Sequence, residues 1–132
     1  MALWAARICT VGEELTLVSY GLRMRWIEEW QTQIRYFCGV IDMRTLVPWD
    51  FDTVQKSIEK TGRCLVIQED TYRGSFGADI SHRIQTECFA KLDAPVEVVS
   101  SLDIPIPFSA ELERGYLANS RIEEAINRVL NF

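Results

Sequence analysis

The strongest constraint on this chain is a repeated alternation. Short apolar runs rich in β-formers are each followed by a stretch with helical spacing. "LTLVSYG" (15–21), "CGVIDMRTL" (38–46), "RCLVIQED" (63–70) and "PVEVVSS" (95–101) are the apolar runs, and Gly21, Gly39 and Gly62 punctuate them. Continuous apolar runs of this length suit strands covered on both faces rather than half-exposed ones. A weaker run, "ARICT" (6–10), precedes a turn at Gly12-Glu13 and predicts an edge strand antiparallel to the rest. Strands alternating with helices give an α/β sandwich around a largely parallel sheet.

The helical stretches carry apolar residues three and four apart. Residues 22–37 place Met24, Ile27, Trp30, Ile34 and Phe37 on one stripe. A second helix fits 51–61, with Asp50 as N-cap and Gly62 as stop. A third runs from about Gly77 to Ala90, with Phe76, Ile80, Ile84 and Cys88 recurring every fourth residue. The last begins at a capping box, Ser120-Arg121-Ile122-Glu123, ahead of Ile126, Val129 and Leu130. Its polar positions Asn127, Arg128 and Asn131 predict a wet face. Between the last strand and this helix, Pro105 and Pro107 impose extended backbone on 102–119, which predicts an irregular surface crossing. With 132 residues and no linker or repeat, the chain reads as one domain.

Charge and residue inventory exclude several function classes. A net charge of −5, with the basic residues scattered, argues against nucleic acid as a partner. Only Arg23, Arg25 and Arg35 group together, and the helical spacing puts them on a solvated face. One histidine, His82, and four dispersed cysteines, Cys9, Cys38, Cys64 and Cys88, give no metal-ligand spacing and no catalytic triad. The cysteines read as free buried thiols in a reducing compartment. No apolar run is long enough to span a membrane, and Arg7 interrupts the N-terminus too early for a signal peptide, so the expected location is cytoplasmic.

One segment invites a ligand. "EDTYRGSFGADI" (69–80) joins an apolar run to a helix through a glycine-rich turn, and such turns can hold a phosphate on a helix N-terminus. Glu69, Asp70, Gly74, Ser75 and Gly77 are therefore the candidate ligand loop. The motif is neither a P-loop nor a dinucleotide fingerprint, and the two acids would repel a phosphate. Tight turning and close helix packing account for its glycines equally well.

The order of motifs resembles a known family. "LTLVSYG", "VIDMRTLVPWDFDTVQKSIEKTGRCLVIQED", "RGSFGADI", "ECFAKLDAPVEVV", "LDIPIPF" and "INRVLNF" are together similar to a transketolase C-terminal domain. The nearest resemblance is to that domain in the beta subunit of 2-oxo acid dehydrogenases of the pyruvate and branched-chain type. It covers roughly residues 5 to 132. It implies a three-layer α/β/α sandwich with a five-stranded mixed sheet. It also implies that thiamine diphosphate and magnesium are held by other domains, so that this module alone neither binds the coenzyme nor decarboxylates a 2-oxo acid. The expected roles are then oligomerisation or protein interaction. The alternatives are a regulatory small-molecule site at the strand ends, or one part of a split thiamine-dependent enzyme.

In that family the module packs beta subunits together and, in some complexes, docks the subunit-binding domain of the acyltransferase core. The resemblance maps the docking residues onto Asp93, in Leu92-Asp93-Ala94-Pro95, and onto the terminal carboxylate of Phe132. Asp93 is also a plain loop acid by its local sequence. Some features depart from the family. The first helix meets its next strand after a few residues fewer than usual, and it carries Trp26, Trp30, Tyr36 and Phe37 where alanine-rich sequence is common. The family's glycine pair before the phenylalanine is Gly74-Ser75 here. Surface that neighbouring domains cover in the full enzymes must be covered otherwise, so self-association is the expectation, as a homo-oligomer or with dehydrogenase or acyltransferase subunits.

Overall fold

A computed structural model describes residues 2–31 and 36–132. Five strands form one mixed sheet: β1 (Arg7–Thr10), β2 (Leu15–Ser19), β3 (Cys38–Asp42), β4 (Cys64–Thr71) and β5 (Glu97–Ser101). Their spatial order is β1-β3-β2-β4-β5. β1 runs antiparallel to β3, as the weak N-terminal run predicts, and every other pairing is parallel.

The apolar runs are continuous because the sheet is covered twice. Along β2, Leu15 and Leu17 face one core and Val18 the other, and along β4, Leu65 and Ile67 oppose Cys64 and Val66. The first core is closed by α1 (Arg23–Gln31) through Met24 and Ile27, and by α5 (Asn119–Leu130) through Ile122, Ala125, Ile126 and Val129. The second is closed by α2 (Phe51–Thr61) through Phe51, Val54 and Ile58, and by α3 (Phe76–Glu87) through Ile80 and Ile84. This is the expected α/β/α sandwich. A polar exception confirms the register: Thr16 faces α2, where its hydroxyl bonds Ser57 (2.7 Å) and Thr61 (2.8 Å).

α2 starts and stops as its sequence dictates. Asp50 accepts from the Thr53 amide at 3.1 Å, and Gly62 closes the helix at φ 68°. Four expectations are corrected. α1 is shorter than 22–37: Tyr36 and Phe37 lie outside it, with Phe37 exposed and its carbonyl taking the amides of Glu13 and Glu14. Ile34 and Arg35 fall outside the described residues. The segment 102–119 holds a helix, α4 (Ala110–Tyr116), which Ser109 caps from its side-chain oxygen. The Ser120 capping box is not formed, because α5 already begins at Asn119, with Ala118 in helical backbone and no capping side chain. Arg23 is buried rather than solvated, since the first turn of α1 faces α5 and the end of β4.

Candidate functional site

Successive connections leave β2 toward β3 and β4 toward β5, in opposite directions. The crevice between the carboxyl ends of β2 and β4 is therefore where α/β folds place ligands. The candidate loop sits there, and the structure shows it filled from within. Gln68, the last fully buried residue along β4, uses every bond its amide can make. Its Oε1 accepts from the Gly77 amide (2.8 Å) and the Tyr20 hydroxyl (3.0 Å). Its Nε2 donates to the Ser75 hydroxyl oxygen (2.7 Å) and the Thr71 carbonyl (3.0 Å). The amide that would hold a phosphate at the start of α3 already has a partner. Tyr20 also meets Phe76 edge to face at 6.5 Å. Burial, with the Asp70 charge second, pushes its phenol up to about 12.

The glycines follow from this plug. A Cβ on Gly77 would stand 2.3 Å from Gln68 Oε1, so only glycine lets α3 approach. The turn does bind an anion, but the anion is its own: Asp103 Oδ1 accepts from the amides of Tyr72 (2.8 Å) and Arg73 (3.1 Å), and Oδ2 lies 3.3 Å from Arg73 Nε. Glu69 is likewise engaged, 3.3 Å from the buried Arg23 guanidinium. That guanidinium also donates to Asn119 (2.8 Å) and stacks on Trp26 at 4.4 Å. Gln68, Asp103 and Arg23 were not among the sequence candidates. Nothing local marks them, because each acts across the fold.

The second candidate pair lies beside β5 and the end of α5. Asp93 donates its amide to the Gly62 carbonyl (2.7 Å), and its carboxylate packs so closely that a Cβ on Gly62 would be 2.2 Å from Oδ2. The Thr61-Gly62-Arg63 and Asp93-Ala94-Pro95 segments thus fold against each other. The carboxylate stays largely exposed, with Arg63 3.9 Å away. Beside it opens a groove of about 440 Å³ whose walls include Pro95, Val96, Ser81, Val129, Arg128 and Phe132. The structure therefore brings the Asp93 segment and Phe132 to one corner, with Asp93 just outside the groove. Arg128 there is held by Glu97 and, at 2.7 Å, by Glu124.

The cysteines are free, and burial pushes the thiols of Cys9, Cys38, Cys64 and Cys88 up, Cys38 to about 11. His82 is exposed on α3. Among the described residues no group of three metal-ligating side chains gathers, and no helix is long and apolar enough to cross a membrane.

With this fold and these segments in place, residues 5–121 match the family described as "Transketolase, C-terminal domain", and the chain belongs to that family. Its relatives include the pyruvate dehydrogenase E1 component subunit beta of Rickettsia felis, 34% identical over 94% of this chain and 39% of the relative. The mitochondrial 2-oxoisovalerate dehydrogenase subunit beta 2 of Arabidopsis thaliana is 35% identical over 96% of this chain and 36% of the relative. The chain spans well under half the length of these relatives. Among solved structures, a protein described as "Split gene transketolase, inactive beta4 tetramer" superposes with a TM-score of 0.76. It covers 99% of this chain and 43% of that one at 20% identity, a likeness of fold.

Proposed function

We propose that this chain is a transketolase C-terminal-like module that works by protein interaction or oligomerisation and is related to the dehydrogenase beta subunits. In this reading it carries no catalytic machinery and binds neither thiamine diphosphate nor magnesium by itself. The supporting observation is the Asp93–Phe132 corner, where an exposed carboxylate flanks an open groove ending at an exposed phenylalanine. A basic partner of the acyltransferase subunit-binding type suits such a corner, its charge supplying steering and specificity. Four free cysteines suit a cytoplasmic setting.

Calorimetric titration with a subunit-binding domain tests this. Binding should weaken about tenfold or more in Asp93→Asn and fall with added salt. Binding of thiamine diphosphate with magnesium by the isolated chain would overturn the reading. A second reading, one part of a split thiamine-dependent enzyme, draws support from the split-gene transketolase of like fold. It predicts 2-oxo acid decarboxylation only on mixing with a chain that holds the coenzyme.

A further inference from the structure

The sheet ends at β1, which runs beside α2 in the same direction and is tied to it at both ends. At the start the Ala6 amide donates to Asp50 Oδ2 (3.0 Å), and at the finish Lys60 Nζ lies 3.5 Å from Glu13 Oε1. Between the two ties lies an open cleft of about 360 Å³, within the roughly 300–1,000 Å³ of small-molecule sites. Its β1 wall is stiff. A Cβ on Gly12 would stand 2.0 Å from the Gly39 nitrogen, so the strand end is pressed onto β3. The Glu13 and Glu14 amides fasten it further, to the Phe37 carbonyl.

The two walls differ in chemistry. α2 spends its apolar stripe, Phe51, Val54 and Ile58, on the core. The neighbouring stripe, Thr53, Lys56, Ser57 and Lys60, keeps helical spacing and lines the cleft. Opposite stand Ile8 and Val11, 56% and 67% exposed. The chain has three lysines and 19 acids, yet two of the lysines and, among the described residues, none of the acids line this cleft. Among the described residues Lys56 makes no ion pair or hydrogen bond. Asp50, whose carboxylate feels its charge, is already engaged by Thr53 and the Ala6 amide. The Lys60–Glu13 pair is exposed and holds Lys60 weakly. The hydroxyls cannot donate to a ligand. Thr53 donates to Asp50 (2.7 Å). Thr61 gives its proton to the Arg63 carbonyl, so Thr16 gives its own to Thr61 and Ser57 gives its own to Thr16. Charge recognition therefore falls to the two lysines. We propose that this cleft binds a small organic anion, its carboxylate or phosphate between Lys56 and Lys60 and its short aliphatic body on Ile8 and Val11. Residues four apart stand one above the other on a helix face, so one oxyanion reaches both ammonium groups. It relieves their mutual repulsion and takes a charge-assisted hydrogen bond from each.

The cleft shares no residue with the Asp93 corner or the turn after β4, and it stands whether or not a partner docks at that corner. Amide-resolved NMR titration with butyrate, butyl phosphate, inorganic phosphate and butanol tests it. Butyrate or butyl phosphate should shift the amides of 8–12 and 53–60 and saturate with a Kd on the order of 1 mM. The tighter of the two names the headgroup. Inorganic phosphate and butanol each lack one half of the ligand and should bind about tenfold more weakly. Lys56→Gln and Lys60→Gln should each weaken butyl phosphate about tenfold, as loss of a charge-assisted hydrogen bond does. Lys91→Gln removes the same charge elsewhere and should change nothing. Ile8→Ser should weaken butyl phosphate but not inorganic phosphate. Glu13→Gln, which releases Lys60, should tighten binding about twofold. Every substituted side chain is exposed, so the variants keep the fold. Lysines beside an edge strand also discourage strand pairing, a role that needs no ligand. No saturable shift at tens of millimolar probe, butanol binding as well as butyrate, or binding indifferent to both lysine variants would leave Lys56 and Lys60 that role alone and overturn the inference.

Discussion

The turn after β4 and the corner beside β5 share Tyr72, and both carry acidic side chains. They differ in where their polar groups point. In the turn, Gln68 makes four hydrogen bonds, Asp103 occupies the free amides, and Glu69 meets Arg23. In the corner, the Asp93 carboxylate packs against Gly62, has one distant cation and is otherwise exposed. A glycine-rich, acidic loop at a strand end looks like a site, yet here it is a joint. A loop acid before a proline looks like nothing, yet here it borders a groove. Whether polar groups are already satisfied distinguishes the two better than which residues they are.

The joint should break hardest. Gln68→Leu removes the amide and leaves the buried Gly77 amide, the Thr71 carbonyl and the Tyr20 hydroxyl without this partner, while Ser75 keeps only its bond to the Tyr72 carbonyl. The loss should be about 3 kcal/mol or more, read from urea unfolding midpoints at constant slope. Gly77→Ala comes next. Its methyl would have to displace a Gln68 side chain fixed by four bonds, so about 2 kcal/mol is expected, in the range of overpacked interiors. A neutral Gly77→Ala would mean that the plug gives way more easily than its geometry implies.

Tyr20 makes the joint sensitive to alkali. Burial first, and the Asp70 charge second, raise its phenol from 10.0 to about 12, so the folded state favours the neutral form. Its contribution is fully present below pH 10 and lost as pH rises through about 12. Tyr20→Phe, which gives up one hydrogen bond, should cost about 1 kcal/mol at neutral pH. It should also flatten the loss of stability between pH 10 and 12. An alkaline profile unchanged in Tyr20→Phe would assign that loss to another group.

The legibility of the sequence divides along the same line. Features set by neighbours in the chain were readable: the α2 caps at Asp50 and Gly62, the stripe Ile80-Ile84-Cys88, the doubly covered strands, the antiparallel β1. Features set across the fold were not. Gln68 ends an apolar run like any polar boundary residue, and only the approach of α3 gives it four partners. Arg23 sits among basic residues that suggest a solvated face, but α5 arrives from almost a hundred residues away to bury it. The Ser120 box has the right letters, yet α4 delivers the chain to Ala118 already in helical backbone. Two prolines hid α4 itself, although Ser109 followed by acidic Glu111 and Glu113 was a usable signal.

The corner should give the smallest stability effect of all. Asp93→Asn keeps the amide bond to Gly62 and the close fit against it, and removes only an exposed pair at 3.9 Å. Exposed ion pairs contribute about 0–1 kcal/mol, so the unfolding midpoint should barely move. The same substitution should cut binding of a basic partner and its salt dependence together, because a surface carboxylate acts mainly on encounter and register. Gln68→Leu, compared at a temperature where it stays folded, should leave that binding nearly unchanged. The two regions would then be separable by a single pair of measurements, stability for the joint and affinity for the corner. If Asp93→Asn instead destabilised the fold by as much as Gly77→Ala, its carboxylate would belong to the packing of Gly62, and the corner would be a second joint.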